Sequence, residues 1–429
     1  MRLVSRVLLV ALFVSLAFGT VRAQQNVMAG EIPEAAPPAD EGSYDILNFL
    51  LLGSDTTNPN NAGRTDVILI LSVNQTMGTV ALLSIPRDLY VFVPDYGMQR
   101  INVAYGYGEN DGVGPSGAEL VEQTIEYNLG ISIDYFARVD FNGFKEIVDN
   151  VGGVELSIDC AIEDWRLREP DLDPTVEDNW EMFTLPVGVQ MLDGDLALWY
   201  VRSRRTSSDI DRGRRQQAMI RGLWQRVRTL GLLEQLGDLY PQVVETVDTD
   251  IPLDDLIGLA PLAVTIDSAH IASYTMRPNH EIIGWTAPGG ASVLVPVADA
   301  VNAMVHQMML PPTENQLIRE QPSVEIVNAS GIPGFDRIAA DRLAVEGFVP
   351  SLAAERAPYR DYTVIYDYTG QSKGSSLETL MSVLRVGEAS VVAQPNANRT
   401  VDFRIEIGGT YQPCTYAVMP PSPPTEEGA

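Results

Sequence analysis

The feature that most constrains the fold is a series of short apolar runs that alternate with helical patterns between residues 46 and 158. Runs at 46–52, 67–73 and 79–85 have the length and apolar composition of strands. Residues 117–129 show partly helical spacing of apolar side chains. Strands that alternate with helices are typical of a sheet layered with helices. We therefore predict an α/β fold, in which a layered α-β-α domain contains a mixed central sheet.

A smaller second domain is predicted after a polar linker. From residue 323 onward the chain shows strand–helix–strand–helix order, which predicts a small C-terminal α/β domain. The predicted organisation is 1–23 signal peptide or membrane anchor, 24–43 flexible linker, 44–310 large domain, 311–322 linker, 323–408 small domain and 409–429 disordered tail.

Four segments of the large domain have distinct patterns. Residues 159–181 are strongly acidic, contain two prolines, and are predicted to form a surface excursion. Residues 197–203 are predicted to return as a strand, and 212–229 to form a long helix. Residues 230–309 are predicted to be mostly helical.

The first residues have the pattern of an export signal. Arg2 and Arg6 precede an apolar run at 7–18, and Val21-Arg22-Ala23 resembles a small-residue cleavage site. The run is short for a membrane-spanning helix, so we favour a cleaved signal peptide over an uncleaved anchor. In both cases the protein is exported and works at the outer face of the cytoplasmic membrane.

Net charge, basic-residue content and cysteine content limit the functions that the protein can have. The net charge of −28 argues against nucleic-acid binding, because the phosphate backbone would be repelled. Among 29 basic residues only Lys145 and Lys373 are lysine. Arginine binds phosphate in bidentate fashion, but genomic base composition also produces such a bias, so position matters more than number. Export permits a disulfide between Cys160 and Cys414, and the sequence leaves their pairing open.

The densest basic segment starts at residue 200 and ends at residue 228. On the predicted strand, Tyr200, Arg202 and Arg204 fall on one face, because side chains alternate. A buried arginine requires an anionic partner, which is either a ligand or an internal carboxylate.

The helix predicted after this strand carries a second polar face. Arg212, Arg215 and Gln216 have i, i+3 and i+4 spacing and therefore lie on one side. The amides of a helix N-terminus favour an anion. The strand–helix junction is thus a candidate phosphate site.

The alternative for these arginines is a solvated helix face with ordinary ion pairs. We favour that alternative for Arg221, Arg226 and Arg228.

A second cluster of charged residues follows the first strands. It consists of Asp55, Arg64, Asp66, Arg87 and Asp88. Ligands of open α/β sheets bind at the carboxyl ends of strands. Two carboxylates near arginines suit Mg²⁺ (or Mn²⁺) that bridges phosphate oxygens. The alternative is that Asp55 and Asp66 cap turns.

Several motifs together resemble the LytR–CpsA–Psr family. They are GSD, GRTD, SIPRD, INVAYGYG, DYFARVDFNGFKEIVDNVGGVEL, LDGDLALWYVRSRR and SSDIDRGRRQQ, in this order. The resemblance is strong over 44–230 and looser over 231–310. Residues 323–408, which begin near VEIVNASGIPG, resemble the C-terminal domain often appended to these proteins.

The resemblance implies a transferase that moves a glycan phosphate from a polyprenyl-pyrophosphate carrier onto peptidoglycan or another envelope acceptor, at the membrane surface. It implies that Asp55 and Asp66 bind the divalent metal ion. It also implies that these two residues act in catalysis together with Arg87, Arg202 and Arg204. The implied pyrophosphate-binding set is Arg64, Arg87, Arg100, Arg202, Arg204, Arg212 and Gln216. Arg100 stands where the family often has lysine. Asp55, Asp66 and Asp88 are candidates for the general base.

Two other functions use the same residues. One is a pyrophosphatase or phosphodiesterase with water as acceptor, and the other is a non-catalytic protein that holds envelope lipid or glycan. A serine esterase is rejected although 370–374 match GxSxG, because that fold needs a histidine after the nucleophile and none follows His306.

Overall fold

A computed structural model describes residues 31–55, 63–112, 114–266, 270–310, 321–355, 357–370 and 375–414. The predicted signal segment 1–23 and most of the predicted linker 311–322 lie outside these residues. Two compact units divide the chain. The first unit comprises 1–143, 239–256 and 274–311, and the second comprises 144–238, 257–273 and 312–429.

The secondary structure follows the alternation that the sequence predicts. Up to residue 150 the elements are β1 (Ile46–Ser54), β2 (Thr65–Asn74), β3 (Thr79–Ser84), β4 (Tyr90–Val93), β5 (Gly97–Arg100), α1 (Ala104–Asp111), α2 (Gly117–Leu129), β6 (Tyr135–Asp140) and α3 (Phe141–Asn150). They are followed by β7 (Val154–Ile158), β8 (Ile162–Leu167), β9 (Trp180–Leu185), β10 (Gly188–Leu192), α4 (Gly194–Arg202) and α5 (Asp209–Thr229).

The remainder of the chain contains both helices and strands. Its elements up to residue 309 are α6 (Leu236–Thr246), β11 (Asp248–Thr249), α7 (Leu253–Thr265), β12 (Ile271–Thr275), β13 (Ile282–Thr286), β14 (Ser292–Pro296) and α8 (Ala298–Met309). The C-terminal elements are β15 (Ser323–Asn328), α9 (Phe335–Val345), β16 (Val349–Leu352), β17 (Val364–Asp367), α10 (Ser375–Leu384), β18 (Val391–Ala393) and β19 (Phe403–Ile407). The prediction that 230–309 is mostly helical was therefore wrong for β12–β14, whose β-branched and aromatic residues pair as short strands.

The mixed central sheet of the first unit is confirmed. Its strands have the order β11-β6-β1-β2-β3, with β1 antiparallel to β2 and parallel to β6. Consecutive residues of β1 are buried, so both faces of this strand are covered. Because its apolar run is nearly continuous, this strand could be predicted from the sequence.

The segment from 197 to 203 is a helix, and the strand prediction was wrong. Asp193 caps α4 by accepting a hydrogen bond from the Leu196 amide at 2.9 Å. Ala197, Tyr200 and Val201 are buried at i, i+3 and i+4, which is helical periodicity. Tyr200 and Arg202 therefore lie on different faces, since Tyr200 is buried and Arg202 is exposed.

The acidic segment predicted as a surface excursion contains a hairpin. Strands β8 and β9 pair antiparallel from Ile162↔Leu185 to Leu167↔Trp180. Strand β8 of this hairpin carries Asp164.

The C-terminal domain confirms the predicted smaller α/β unit. Its five strands have the order β16-β15-β19-β17-β18. Fully buried residues of the sheet and helices, among them Ile338, Phe348 and Ile405, form one core.

The end of this domain is ordered, and the predicted tail was wrong for its first residues. Tyr411 is buried in the C-terminal core, and Cys414 forms a disulfide with Cys160. Residues 415–429 lie outside the described part of the chain.

The described part of the predicted flexible linker is also held in place. The amides of Ala36 and Ala39 donate to the carbonyls of Tyr127 and Gly130, each at 2.7 Å. Gly130 ends α2 with φ +71°, and the chain at Pro37 lies where a side chain would stand.

Candidate functional site

In the first unit, four side chains form an alternating charge chain. Arg87 Nη1 lies 2.8 Å from Asp66 Oδ1, and Arg87 Nε lies 3.7 Å from Asp88 Oδ2. Arg100 Nη1 lies 3.4 Å from the other oxygen of Asp88, and its Nη2 donates to the Ser292 carbonyl at 2.7 Å. These side chains are partly exposed, so a ligand can reach them. The structure thus brings together three predicted site residues, Asp66, Arg87 and Arg100.

A β-bulge places Asp66. Gly53 pairs with Val67 and Ser54 pairs with Thr65, so Asp66 is an additional residue without its own partner in the β1–β2 ladder. A Cβ at position 53 would come within 3.0 Å of Val67, so glycine allows this close pairing. Bulges redirect side chains at the ends of sheets, often beside active sites.

Backbone hydrogen bonds fix the segment that carries Arg87 and Asp88. The Asn102 amide donates to the Arg87 carbonyl at 3.3 Å, and the Leu294 amide donates to the Asp88 carbonyl at 2.9 Å. Both side chains therefore start from a backbone held by two other segments.

Asp55 and Arg64 lie at the ends of the paired strands β1 and β2. Asp55 directly follows β1 and is only 8% exposed, whereas Arg64 precedes β2 and is exposed. Asp55 thus lies at the carboxyl end of β1, where ligand-binding residues of such sheets gather, although turn capping gives the same residue type.

Sequence reasoning missed Arg138 of β6. Its Nε donates to the Ser54 hydroxyl at 3.1 Å, next to Asp55. Its guanidinium lies 4.5 Å from the centre of the Tyr105 ring and 3.6 Å from Asp248. The sequence signal that could have identified Arg138 was a charged residue inside a half-buried strand.

Two side chains at the strand ends have the chemistry that a divalent cation requires. Asp55 and Asp66 would supply carboxylate oxygens, the ligands that Mg²⁺ prefers. Among the described residues, no group of three or more His, Cys, Asp or Glu side chains is arranged to hold a metal. A Mg²⁺ ion held by these two carboxylates would take its remaining ligands from phosphate and water, which is its usual mode at phosphate sites.

In the second unit, the predicted arginines lie on a helix–turn–helix segment rather than a strand–helix junction. Arg202 ends α4, and Arg204 lies in the turn before α5. Both are exposed, so the expected burial of this pair was wrong. The buried arginines are Arg212 at 6% exposed and Arg215 at 4% exposed.

Asp164 of β8 holds the turn. Its Oδ2 accepts the backbone amides of Arg204 at 2.8 Å and Arg205 at 3.2 Å. It lies in the acidic segment, forty residues away in sequence, and nothing in the local pattern pointed to it.

Asp209 links two of the predicted phosphate-binding arginines. Its Oδ1 lies 3.6 Å from Arg204 Nη1 and 3.5 Å from Arg212 Nη1. Two guanidinium groups therefore share one carboxylate oxygen.

Arg215 and Gln216 join α5 to the end of α4. Arg215 donates to the Tyr200 carbonyl at 3.0 Å and also to the Ser203 carbonyl. Gln216 Nε2 donates to the Val201 carbonyl at 3.3 Å. These contacts satisfy carbonyls that a helix end leaves open.

The N-terminus of α5 is capped by residues of the chain itself. The Ser208 hydroxyl accepts the Asp211 amide, and the Asp211 carboxylate accepts the Ser208 amide. This capping box already places negative charge in the first turn.

The three later arginines of α5 have structural contacts. Arg221, Arg226 and Arg228 donate to the backbone carbonyls of Ile271, Val151 and Ile266 at 2.6, 2.8 and 2.7 Å. Burial lowers the pKa of Arg221 to about 10. We expected a structural role, but through surface ion pairs rather than carbonyls.

A comparison with known protein families shows which family the chain belongs to. Residues 18–309 match the LytR_cpsA_psr family model. The chain belongs to the LytR–CpsA–Psr family. Residues 321–411 match a second model, described as LytR cell envelope-related transcriptional attenuator.

Three curated relatives align with different shares of the present chain. The Bacillus subtilis polyisoprenyl-teichoic acid–peptidoglycan teichoic acid transferase TagT is 27% identical over 62% of this chain and 80% of its own length. TagU of Oceanobacillus iheyensis, with the same activity name, is 33% identical over 49% of this chain and 61% of its own length. The probable cell wall biosynthesis protein LcpB of Corynebacterium glutamicum is 34% identical over half of each chain.

A solved structure supports the fold of this family member. The crystal structure of Bacillus subtilis TagV matches with a TM-score of 0.50 and 22% identity. The match covers 62% of this chain and 99% of TagV. Among the described residues of the present protein, no helix has the length and apolar character needed to cross a membrane.

Proposed function

We propose that this protein is a phosphotransferase of the cell envelope. It moves a glycan phosphate from a polyprenyl-pyrophosphate carrier onto a hydroxyl group of peptidoglycan or another envelope glycan. The observation that carries the proposal is the charge chain of Asp66, Arg87, Asp88 and Arg100, held at the strand ends in a member of this family. Curated relatives named as polyisoprenyl-teichoic acid–peptidoglycan teichoic acid transferases support the same reaction class.

The proposed reaction breaks a phosphoanhydride bond of the carrier and forms a phosphoester bond to the acceptor. The acceptor hydroxyl oxygen forms a bond to the phosphorus that carries the glycan, while the bond from that phosphorus to the bridging oxygen breaks. Polyprenyl monophosphate leaves, and the hydroxyl proton passes to a carboxylate of the site, for which Asp55, Asp66 and Asp88 are the candidates.

Arginines have two tasks in this reaction. The arginines proposed to bind phosphate oxygens of the substrate are Arg87, Arg100, Arg202, Arg204 and Arg212. Arg64 and Gln216 complete the proposed polar set. Fixed guanidinium groups stabilise the charge that develops on the leaving phosphate, and each such bond contributes roughly 1.5–3 kcal/mol.

Asp55 and Asp66 are proposed to hold Mg²⁺ or Mn²⁺. When bound, the ion neutralises phosphate charge and polarises the phosphorus–oxygen bond. The carboxylates of this chain contribute by keeping that charge at the strand ends, beside Arg87.

The disulfide supports the proposed location outside the cytoplasm. Cys160 and Cys414 are joined, and such bonds persist mainly in oxidising compartments. Together with the export signal predicted in residues 1–23, it favours the outer face of the cytoplasmic membrane.

Product analysis with and without acceptor tests the proposal. The protein is incubated with Mg²⁺ and a polyprenyl-pyrophosphate-linked glycan, either alone or with peptidoglycan fragments. Acceptor-dependent release of polyprenyl monophosphate, with a new glycan–phosphate–acceptor bond, is expected. Equal release without acceptor would identify a hydrolase, and tight binding without turnover would identify a binding protein.

A further inference from the structure

One buried side chain beside the charge chain has an oxygen without a hydrogen-bond partner. Asn102 is only 5% exposed, and among the described residues nothing donates a hydrogen bond to its Oδ1. A buried amide oxygen that loses water and gains no donor is costly, so native proteins leave few such atoms. The orphaned oxygen of Asn102 therefore calls for a bound group that donates to it.

The backbone fixes Asn102 next to the charge chain. Its amide donates to the Arg87 carbonyl at 3.3 Å, and the amide of the preceding residue donates to the Leu89 carbonyl at 2.8 Å. The short 3-10 turn that contains Asn102 therefore runs alongside Asp88. This turn directly follows Arg100, whose Nη1 lies 3.4 Å from Asp88 Oδ1.

The same turn also packs against β2. It contacts this strand, and the helix α1 that follows the turn closely approaches the residues that lead into β2. A Cβ at Gly63 would come within 2.7 Å of the Gly106 Cα, so a side chain there would force the two segments apart. The turn thereby places Asn102 between the segment that carries Arg87 and the strand that carries Asp66.

A second orphaned atom lies at the start of β2. Thr65 is fully buried, and its hydroxyl has no hydrogen-bond partner within the described part of the chain. It pairs with Ser54 at the bulge and directly precedes Asp66. Because buried polar atoms without partners are rare, two of them on segments that pack together indicate a place where a ligand binds.

The chemistry of the orphaned amide oxygen selects the group that it binds. An amide oxygen only accepts hydrogen bonds, and the oxygens of an ionised phosphate are acceptors as well. Asn102 Oδ1 therefore requires a hydrogen-bond donor that lies beside the phosphate. The proposed reaction brings two such donors to the strand ends, namely an O–H or N–H group of the glycan and a water molecule bound to the divalent ion.

We propose that Asn102 is a further binding residue of this site. Its side-chain oxygen accepts a hydrogen bond from a donor held beside the pyrophosphate, either on the glycan or on the hydrated metal ion. The residue binds and does not act as an acid or base, because an uncharged amide does not titrate. The inference rests on the proposed function, since that function supplies both donors.

A comparison of two asparagines separates binding from stability. Asn102→Ala removes an oxygen that has no partner, so the melting temperature should stay close to that of wild type. Asn48→Ala is the matched control, because Asn48 is 1% exposed, its Oδ1 accepts the Ser72 hydroxyl and its Nδ2 donates to Glu41. This control should melt at a lower temperature and, below that temperature, bind ligands as wild type does.

Two titrations identify the donor. In the first, Mn²⁺ is added to the full chain with saturating glycan-free polyprenyl pyrophosphate, and electron paramagnetic resonance reads the free ion. In the second, calorimetry at saturating Mg²⁺ compares polyprenyl pyrophosphate with and without its glycan. Asn102→Ala, and Asn102→Leu, which also fills the space, should lose about tenfold in affinity. The loss falls on Mn²⁺ if metal-bound water is the donor, and on the glycan-bearing carrier alone if the glycan is.

Three results would overturn the proposal: unchanged affinities in both titrations, equal loss for both carriers with unchanged Mn²⁺ affinity, or melting of both Asn102 variants as low as that of Asn48→Ala. Failure of the proposed function looks different. In that case the wild-type protein binds both carriers but transfers no glycan phosphate to an acceptor, while the Asn102 variants still lose affinity.

Discussion

Arg87 Nη1 lies 2.8 Å from Asp66 Oδ1, and this contact joins the end of β3 to the bulge in β2. The same guanidinium faces Asp88 through its Nε at 3.7 Å. One arginine thus orders two carboxylates beside the carboxyl ends of β1 and β3, and ligands of α/β folds bind at such strand ends. We infer that Arg87 both positions Asp66 and binds phosphate.

Arg87→Ala should reduce transfer strongly without unfolding the protein. Loss of one charge-assisted bond of about 1.5–3 kcal/mol corresponds to a roughly 10- to 150-fold decrease in kcat/KM. Arg87→Lys should recover part of this loss, because lysine keeps the charge but lacks the planar fork. The measurement is kcat/KM for polyprenyl monophosphate release, with the melting temperature as the folding control. Wild-type kcat/KM in Arg87→Ala would remove this residue from the site.

Arg204→Ala should likewise impair transfer, since its exposed side chain is proposed to bind pyrophosphate. Arg168→Ala is a suitable control, because Arg168 is an exposed arginine after β8. We expect a loss of roughly tenfold or more for position 204 and no change for position 168. Equal activities for both variants would contradict the assignment.

Asp164→Ala should act on transfer through the backbone of the arginine turn. It removes the carboxylate that accepts the Arg204 and Arg205 amides. We expect about tenfold weaker binding of polyprenyl pyrophosphate, measured by calorimetry. Asp164→Asn keeps a hydrogen-bond acceptor and should retain most of the affinity. If the alanine variant binds as wild type, Asp164 does not position Arg204.

Reduction of the disulfide should destabilise the second unit. Cys160 precedes β8, and Cys414 follows the last strand of the C-terminal domain, so the bond closes a sequence separation of 254 residues. Its removal typically lowers the free energy of unfolding by about 2–4 kcal/mol. Cys160→Ser/Cys414→Ser should therefore melt at a lower temperature than wild type and should no longer respond to reductant. Identical melting of wild type with and without reductant would show that the bond does not stabilise the fold.

Glu122 of α2 should make stability depend on pH. Burial, and then the charges of Asp250 and Glu119, raise the pKa of Glu122 from 4.5 to about 7. The folded state therefore binds the proton more tightly, and this group lowers stability as pH rises from about 4.5 to about 7. Glu122→Gln should be more stable than wild type above pH 7 and similar below pH 4.5. Thermal unfolding across this range checks the sign, with Glu126→Gln on the same helix as control.

The sequence was sufficient for the strands whose side chains are buried on both faces. β1, β2 and β3 are short apolar runs followed by turn residues, and this length and these flanking residues favour strands over buried helices. Residues 197–203 were different, because Leu, Trp, Tyr and Val pack well in either a strand or a helix. The cap at Asp193 and the buried i, i+3, i+4 spacing decide for the helix.

The residue types of the site could be predicted from the sequence, but their arrangement in space could be predicted only in part. Asp66, Arg87 and Arg100 lie near strand ends and were found, whereas the bulge that places Asp66 depends on how two strands pair. Asp164 and Cys414 act on segments far away in sequence, so no local pattern could identify their partners. The exposure of the arginines also differs from the prediction. Helix α4 turns Arg202 outward, whereas α5 buries Arg212 and Arg215.

Transfer in water enriched with oxygen-18 tests the central claim most directly. The protein, Mg²⁺, a polyprenyl-pyrophosphate-linked glycan and a peptidoglycan acceptor react in this solvent, and mass spectrometry reads the label in both phosphate products. Because the acceptor hydroxyl attacks phosphorus, we predict a glycan–phosphate–acceptor product and a polyprenyl monophosphate that both lack solvent oxygen. Oxygen-18 in the phosphate of released glycan would show that water is the acceptor and would contradict the transferase account.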